Sequence, residues 1–316
     1  MRQLAALNYS SHLDRSSASR PARSSFESVP LEIPERLFLK FQELIDREAG
    51  IWLSPAKATL LTGRLAKRLR HHGLKSYKDY YALVLESPEE RIHMLDAIST
   101  NETHFFREPK HFEILEHVIF PKWLQSADAA QRSRKIRVLS AGCSTGQEPY
   151  SLAMILLHYF PPAAGWEIEI IATDLSTRVL ETAKAAMWPA EKAREIPLQY
   201  LKTFMLRGCG EQAGKIKAGP EIRALIQFHR VNLNGDSYPF SGKFDLIFCR
   251  NVLIYFEAHR REQIIRRLSA LLAPDGHFFV GHSESLHHLH TVLTSLIPTV
   301  YRLAQKSDQR KSKNAL

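Results

Sequence analysis

The stretch Val138–Leu156, VLSAGCSTGQEPYSLAMIL, constrains the fold of this chain more than any other. A β-branched and apolar run stops at a turn of small residues that contains Gly142 and Gly146. Glu148 follows, and an apolar pattern with helical period then begins. Glycine lets the backbone turn tightly and lets a ligand approach main-chain amides. The stretch therefore predicts a strand, a ligand-binding turn and a helix, in that order.

From Lys135 onward, strand and helix patterns alternate. Strands are predicted at KIRVLSAG, WEIEIIATDL, LIQFHRVNL, KFDLIFCRN, GHFFVGHS and TVYRLA, and helices at Glu148–Tyr159, Ser176–Met187, Leu198–Met205 and His259–Leu272. Such alternation is typical of α/β proteins with a mostly parallel sheet and helices on both faces. In these sheets ligands bind outside the carboxyl ends of the strands. The glycine-rich segment Leu206–Ile222 interrupts the alternation and predicts a small β-excursion.

The segment before this region has a different pattern of apolar residues. From Pro34 to Gln125 the pattern is helical, and strand signals are few. About four helices are predicted there, and 316 residues fit about two domains. Residues 1–28 and the basic tail 306–316 have the composition of disordered ends. No apolar run approaches the roughly 20 residues of a membrane span, so a cytoplasmic protein is expected. The net charge of +10 favours an anionic partner.

Two acids follow the ends of the first two predicted strands. Glu148 lies in the first helical turn after the glycines, where a carboxylate repels phosphate and suits a cation. Asp174 ends the second strand, the position from which an acid accepts hydrogen bonds from ribose hydroxyls. A ribose-bearing cation without phosphate, such as S-adenosylmethionine, satisfies both acids. The alternative is a helix-capping acid and an ordinary loop acid.

Histidine and cysteine patterns give no second site. The three cysteines are widely spaced and odd in number, which argues against a disulfide framework. Histidines cluster at His282, His287, His288 and His290, but no acid or cysteine stands at ligand spacing beside them. Surface histidines are the favoured interpretation, and no metal site is predicted.

Five ordered stretches together resemble one family. They are STNETHFFREPKHF from Ser99, AGCSTGQEPYSLA from Ala141, ATDLSTRVLETAK from Ala172, FDLIFCRNVLIYF from Phe244 and LLAPDGHFFVGHSES from Leu271. The chain resembles the CheR family, the chemotaxis receptor glutamate methyltransferases, from about Pro34 to Arg302. Gln147 departs from the family pattern, which usually shows a second acid at this position. Glu102 and His104 occupy the two variable positions of the family's Asn-x-Thr-x-Phe-Phe-Arg run.

The resemblance implies a helical N-terminal domain with a linker at 29–122. It also implies a Rossmann-like class I methyltransferase domain at 123–305, with an inserted three-stranded β-subdomain at about 206–222. The implied cofactor contacts are Asn101, Thr103, Arg107, Glu148, Asp174, Asn232, Leu233, Arg250 and Asn251. Tyr255 falls where the family places a residue beside the reacting centre. The cofactor would be S-adenosylmethionine and the product S-adenosylhomocysteine.

Esterification of a glutamate explains why these residue types are suitable. A carboxylate with a pKa near 4.3 is already ionised, so no general base is needed. A cation, Arg107 or Arg250, would offset the desolvation of the incoming anion, and the Tyr255 hydroxyl could donate to its second oxygen. The plain alternatives are a surface ion pair for Arg250 and a half-buried core ring for Tyr255.

Two further functions are alternatives to protein methylation. Enzymes that methylate exocyclic base amines typically show Asn/Asp-Pro-Pro-aromatic where this chain has CRNVLIYF, so a nucleic-acid methyltransferase is disfavoured. A catalytically idle module that only binds the cofactor is disfavoured because Arg107, Arg250 and Tyr255 are all present.

The basic face of one predicted helix is the expected docking surface. Arg64, Lys67, Arg68 and His71 follow 3–4 spacing, and no acid occurs between Lys57 and Lys75. The resemblance implies an acidic partner, the helical cytoplasmic domain of a chemoreceptor, bound by a monomer that is recruited to membrane receptor arrays. A solvated face or a DNA-binding helix are the alternatives. A receptor C-terminal peptide is a further expected partner, bound as an added strand at the β-subdomain.

Overall fold

The computed structural model describes residues 32–286 and 292–304. The expected disorder of residues 1–28 and 306–316 lies outside this part of the chain, and so do three of the clustered histidines, His287, His288 and His290. Within the described ranges, no helix combines the length and the apolar character that crossing a membrane requires.

Four helices form the first unit. They are α1 (Glu35–Ala49), α2 (Ala58–His71), α3 (Tyr77–Glu86) and α4 (Pro88–Ile98). Local residues explain their ends: Gly50 stops α1 with a φ of 72°, and the hydroxyls of Ser76 and Ser87 accept hydrogen bonds from the first turns of α3 and α4.

The four helices share one apolar core. Leu61, Leu65 and Leu69 recur at helical spacing on α2 and are buried. They pack with Phe41 of α1 and Tyr80 of α3, both fully buried. Burial of one face of each helix therefore holds the unit together, because short isolated helices are marginal in water.

In the described residues of the second unit, ten strands follow. They are β1 (Lys135–Ala141), β2 (Glu167–Asp174), β3 (Met187–Pro189), β4 (Met205–Arg207), β5 (Lys215–Ala218), β6 (Ile226–Arg230), β7 (Phe244–Cys249), β8 (Leu272–Val280), β9 (Leu293–Ile297) and β10 (Val300–Leu303). Seven form one sheet in the order β6-β2-β1-β7-β8-β10-β9. Neighbours from β6 to β8 run parallel, and β10 is antiparallel to both β8 and β9. The predicted α/β fold class is confirmed.

Helices cover both faces of this sheet. They are α5 (Pro109–Ile114), α6 (Phe120–Asp128), α7 (Gln147–Tyr159), α8 (Thr177–Ala185), α9 (Leu198–Phe204), α10 (Pro220–Arg223) and α11 (Ala258–Ala270), with a π-helical turn at Leu115–Ile119. Alternate residues of β1 point to opposite faces. Ile136 and Val138 pack in one core cluster, while Leu139 and Ala141 pack in the other with Ile264 of α11.

The domain limits differ from the predicted ones in two places. The small antiparallel sheet, in the order β3-β5-β4, takes in Met187–Pro189 as well as the predicted segment at about 206–222. Met187 therefore belongs to a strand, although the sequence predicted that α8 would extend to it. Residues 105–127 place Phe105, Phe120 and Trp123 in the core beside the large sheet, so this segment packs with the second unit.

Specific polar contacts join the two units. Asp96 of α4 accepts hydrogen bonds from the Thr177 amide at 3.0 Å and the Thr177 hydroxyl at 2.6 Å, at the start of α8. The Asn232 side chain donates to the Glu48 carbonyl at 2.7 Å. These bonds place the helical unit against the carboxyl edge of the parallel strands, where a cleft forms between them.

Candidate functional site

The glycine turn after β1 forms the floor of the cleft. The amides of Gly142 and Cys143 both donate to the Thr173 carbonyl at 2.8 Å, which ties the turn to the end of β2. Gly142 has a φ of 84°, and a Cβ there would lie 2.3 Å from Val252 Cγ2. Only glycine fits both the backbone angle and this close approach. The predicted turn therefore brings the ends of β1, β2 and the segment after β7 together.

Glu148 enters the cleft from the first turn of α7. Its Oε1 accepts a hydrogen bond from the Ser140 hydroxyl at 2.7 Å, and its Oε2 lies 3.4 Å from Arg250 Nη1. Burial raises the pKa of this carboxyl, and Arg250 only partly opposes the effect. The charged form of Glu148 is therefore short of compensation within the protein.

Asp174 occupies the equivalent place at the end of β2. Its Oδ2 accepts from the Ser144 amide at 2.8 Å, and its Oδ1 accepts from the Ser176 amide at 3.0 Å. Burial raises the pKa of this carboxyl too, although the backbone donors work in the opposite direction. No lysine or arginine within residues 32–286 and 292–304 forms an ion pair with it.

Arg250 lies beneath the cleft in an ion-pair network and is only 5% exposed. Its guanidinium lies 3.2 Å from Glu108 Oε2 and 3.4 Å from Glu148 Oε2, and it also donates to the Arg107 carbonyl. Arg250 is therefore already balanced by two carboxylates. The sequence predicted that this guanidinium would bind an anionic acceptor. In the structure it pairs with Glu108 and Glu148 of the protein itself.

The segment between α4 and α5 forms one side of the cleft. Asn101, Thr103 and Arg107 all line it. The Asn101 side-chain Nδ2 is buried without a hydrogen-bond partner, which leaves a donor for a ligand. Arg107 Nη1 donates to the Glu102 carbonyl at 3.0 Å, and no carboxylate of the described chain pairs with Arg107.

The segment after β7 also lines the cleft. Asn251 has a φ of 58°, and its side chain reaches Glu108 Oε1 at 3.5 Å. Tyr255 lines the cleft, its carbonyl accepts from the Trp52 amide at 2.9 Å, and Lys57 Nζ lies 5.8 Å from its ring centroid. The helical unit therefore supplies a cation directly above the Tyr255 ring.

One pocket collects the predicted residues from five separate segments. The residues predicted to contact the cofactor or the reacting centre that line it are Asn101, Thr103, Arg107, Glu148, Asp174, Asn232, Leu233, Arg250, Asn251 and Tyr255. Their roles remain predictions. The structure limits what the Asn232 side chain can bind. Its Nδ2 donates to the Glu48 carbonyl, and its Oδ1 accepts from the Asn234 amide at 3.0 Å. Its side chain is therefore occupied in joining the two units.

The predicted docking stripe is divided in the structure. Arg64 lines the pocket and donates to the Ile98 carbonyl and, at 2.9 Å, to the Thr100 hydroxyl. Arg68 pairs with the buried Glu90 of α4. Lys67 and His71 are exposed. The four residues therefore do not form a uniform basic face, because two of them bind groups of their own domain.

Glu108, His111 and His282 come within 4.8 Å of one another through their ligand-type atoms. Sequence spacing could not reveal this cluster, because His282 lies far along the chain from the other two. Burial and Arg250 lower the pKa of His111 to about 3, so its ring is neutral. The Arg250 guanidinium already occupies Glu108 Oε2, which is where a metal ion would need to bind.

Two residues of the site were not predicted from the sequence. Lys57 lines the pocket without a carboxylate partner in the described ranges, and nothing in its local sequence marks it. Glu108 follows Arg107 in the Phe-Phe-Arg-Glu run without a signal of its own, yet it binds Arg250 and Asn251. Both act on groups that are distant in sequence.

The pocket is lined by charges of both signs. Glu148 and Asp174 suit a cationic ligand with hydroxyl groups. Lys57, Arg64 and Arg107 line the same pocket and suit an anion. A site of this kind can hold a cation and an anion in contact, which is the requirement for transfer of a group from one to the other.

Comparison with known proteins gives matches along most of the chain. Residues 36–99 match the family model described as CheR methyltransferase, all-alpha domain, and residues 101–301 match that described as CheR methyltransferase, SAM binding domain. Chemotaxis protein methyltransferase 2 of Pseudomonas aeruginosa is 37% identical over 268 residues, 84% of this chain and 91% of the relative. Chemotaxis protein methyltransferase of Escherichia coli is 37% identical over 288 residues, 88% of this chain and 96% of the relative. Chemotaxis protein methyltransferase of Borreliella burgdorferi is 35% identical over 263 residues, which are 82% of this chain and 91% of the relative.

Proposed function

Because this chain belongs to the CheR methyltransferase family, we propose that it methylates glutamate side chains of chemoreceptors with S-adenosylmethionine. The chain is an S-adenosylmethionine-dependent methyltransferase, and the predicted family resemblance is confirmed. The observation that supports the glutamate acceptor is the pocket itself, which is lined both by two incompletely compensated acids and by cations without carboxylate partners in the described chain.

The residues present fit the cofactor. Asp174 suits the ribose hydroxyls, and Glu148 suits the positive charge of the sulfonium and amino groups. The unpaired Asn101 Nδ2 offers a donor to an acceptor atom of the cofactor. Leu175, Val231 and Leu233 give the pocket an apolar wall beside Asp174, where a base can pack. When bound, the cofactor supplies an electrophilic methyl group.

The reaction needs no proton transfer. A carbon–oxygen bond forms between the acceptor carboxylate and the methyl group while the carbon–sulfur bond breaks, and its electron pair leaves on sulfur. The products are a methyl ester and a neutral thioether, S-adenosylhomocysteine. The acceptor is ionised at neutral pH, so this chain must position an anion and exclude water.

We assign the acceptor side of the pocket to Lys57, Arg64 and Arg107. Each lines the pocket, and no carboxylate of the described chain forms an ion pair with any of them. They can offset the desolvation of an incoming carboxylate, which Arg250 cannot do while Glu108 and Glu148 hold it. Tyr255, beneath Lys57, offers a hydroxyl to the second carboxylate oxygen.

Two surfaces are proposed for the receptor. The exposed Lys67 and His71 of α2, beside the pocket-lining Arg64, suit an acidic helix of the receptor's cytoplasmic domain. The short strand β4 lies at one edge of the small sheet, where a receptor C-terminal peptide can add as a further strand. Binding there would recruit the enzyme to receptor arrays.

A labelling experiment tests the proposal. The protein is incubated with methyl-labelled S-adenosylmethionine and membranes that contain chemoreceptors, and the product is treated with base. Glutamyl methyl esters release the label as volatile methanol. Base-stable label would indicate N-methylation, and absence of label would indicate a module that only binds the cofactor.

A further inference from the structure

Glu284, which follows β8, is buried and only 4% exposed. No lysine or arginine of residues 32–286 and 292–304 forms an ion pair with it. Burial raises the pKa of the neighbouring Cys249 thiol, and the Glu284 charge raises it further. A buried carboxylate without a cation is costly unless its hydrogen bonds compensate.

Backbone amides from two loops supply those bonds. Glu284 Oε2 accepts from the Asn251 amide at 2.8 Å and from the Gly281 amide at 2.7 Å. Glu284 Oε1 accepts from the Ile254 amide at 3.3 Å. One side chain therefore ties both ends of the 251–254 segment to the loop after β8.

The segment held in this way needs external support. Asn251 has a φ of 58°, and a non-glycine residue in this region costs of order 1–3 kcal/mol. The contact is also close, because a Cβ on Gly281 would lie 2.5 Å from Asn251 Nδ2 and 2.9 Å from Glu284 Oε2. Glycine at 281 allows the two loops to approach.

The supported segment carries groups of the pocket. Asn251 is itself bound by Glu284, Tyr255 directly follows the bound Ile254, and both Asn251 and Tyr255 line the pocket. The Trp52 amide holds Tyr255 from the other side. We propose that Glu284 is a positioning residue for methyl transfer: its carboxylate fixes the 251–255 segment, so that Asn251 meets the cofactor and Tyr255 meets the acceptor. This inference rests on the proposed function for the roles of Asn251 and Tyr255.

The substitution Glu284→Gln tests the idea with minimal change in shape. The remaining oxygen can keep the bonds to the Asn251 and Gly281 amides, whereas the new NH₂ group would face the Ile254 amide, donor against donor. The variant should bind S-adenosylhomocysteine within about threefold of wild type, while kcat for receptor methylation falls about 10²-fold, the scale of a 1 Å misplacement. Glu284→Asp, too short to bridge both loops, should show the same loss.

Asp245→Asn is the matched control. Asp245 lies at the amino end of β7, accepts from the Arg137 amide at 2.8 Å and pairs with Arg132 at 2.6 Å. It supports the same strand at the end away from the pocket. Its loss should lower the melting temperature and leave kcat unchanged.

Hydrogen exchange gives a readout that does not depend on activity. Amides of residues 251–256 should exchange at least about tenfold faster in Glu284→Gln than in wild type, and not in Asp245→Asn, since loss of a support opens a segment locally. Unchanged exchange, an unchanged kcat in both Glu284 variants, or an equal kcat loss in Asp245→Asn would overturn the inference. If wild type itself transfers no methyl group to receptors, the proposed function fails, and the exchange result still decides whether Glu284 fixes the segment.

Discussion

The protein compensates the charge of its acidic side chains to different extents in two regions. Glu90, in the helical unit, is 3% exposed and accepts hydrogen bonds from Arg68 at 2.8 Å, Tyr80 at 2.7 Å and His72 at 2.7 Å. Although burial opposes it, these bonds lower the pKa of Glu90 to about 2. The protein therefore compensates this charge fully on its own.

Glu148 and Asp174 are partly buried at the pocket, and there burial raises the pKa of both carboxyls. The partners that the protein provides are too few to reverse the effect. This comparison shows that burial alone does not identify a functional acid. An acid with its own cation supports the fold, whereas an acid left short of compensation is suited to a cationic ligand.

The substitution Glu90→Gln should have the largest effect on stability. It leaves the half-buried Arg68 without its carboxylate, and the free energy of unfolding should fall by about 3 kcal/mol. Urea unfolding measures the change. Affinity for S-adenosylhomocysteine should stay within twofold of wild type, and a large loss of affinity would remove the contrast between the two sites.

The same variant has a predicted pH dependence. The pKa of Glu90 is about 2 in the folded protein, below its ordinary value of 4.5. Its stabilising contribution is therefore fully present above pH 4.5 and is lost as the pH falls toward 2. The stability difference between wild type and Glu90→Gln should shrink over this interval in urea titrations at a series of pH values.

The substitution Asp174→Asn should have the reverse pattern. Loss of a charge-assisted hydrogen bond of about 1.5–3 kcal/mol should weaken binding of S-adenosylmethionine by one to two orders of magnitude. The free energy of unfolding should change little, because the substitution removes a buried charge that burial disfavours. Calorimetric titration and thermal melting measure the two quantities. Unimpaired binding would show that Asp174 is an ordinary loop acid.

Cofactor binding should release protons. A cationic ligand favours the ionised forms of Glu148 and Asp174, whose pKa values burial raises in the free protein. Affinity should fall as the pH drops through these raised pKa values, by up to about tenfold per pH unit for each proton released. Calorimetry in two buffers of different ionisation enthalpy measures the release. Asp174→Asn should release fewer protons, and proton uptake by wild type would contradict the assignment.

The smallest expected effect concerns α2. Lys67 is exposed, whereas its neighbour Arg68 is bound to Glu90. Lys67→Glu should raise the KM for receptor by about two- to fivefold at low salt and less at high salt, because exposed charges are weak and screened. Arg68→Gln should act mainly on stability. Equal KM values for wild type and Lys67→Glu at low salt would exclude this face from docking.

Local signals predicted much of the site. Gly142 and the apolar strand before it required a tight turn, and the helical period after Gly146 placed Glu148 in the first turn. Asp174 followed from its place at the end of an apolar run. Each depends on residues a few positions apart, so a single sequence is enough. The limits of the small sheet were missed, because strands of three residues such as β3 carry almost no pattern.

Pairings between distant residues could not be predicted in this way. The sequence offered Arg250 as a cation for the acceptor and gave no sign of its pairing with Glu108, which lies 142 residues earlier in the chain. The stripe on α2 looked uniformly basic because Glu90 lies on another helix, 22 residues from Arg68. In both cases the sequence shows a charge, and only the folded chain shows whether that charge is already neutralised.

The sequence by itself determined the order of helices and strands, the glycine turn, the two acids at the strand ends and the family. The elements, the turn and the positions of the acids depend on local backbone preference and on the period of apolar residues, which short stretches encode, whereas the family followed from the resemblance of five ordered motifs. Tertiary structure alone decided which buried charges are compensated, which cations remain for a ligand, and that Glu284 supports the segment that carries Tyr255. The strength of a charge depends on its burial and its neighbours, and folding sets both by bringing distant segments together.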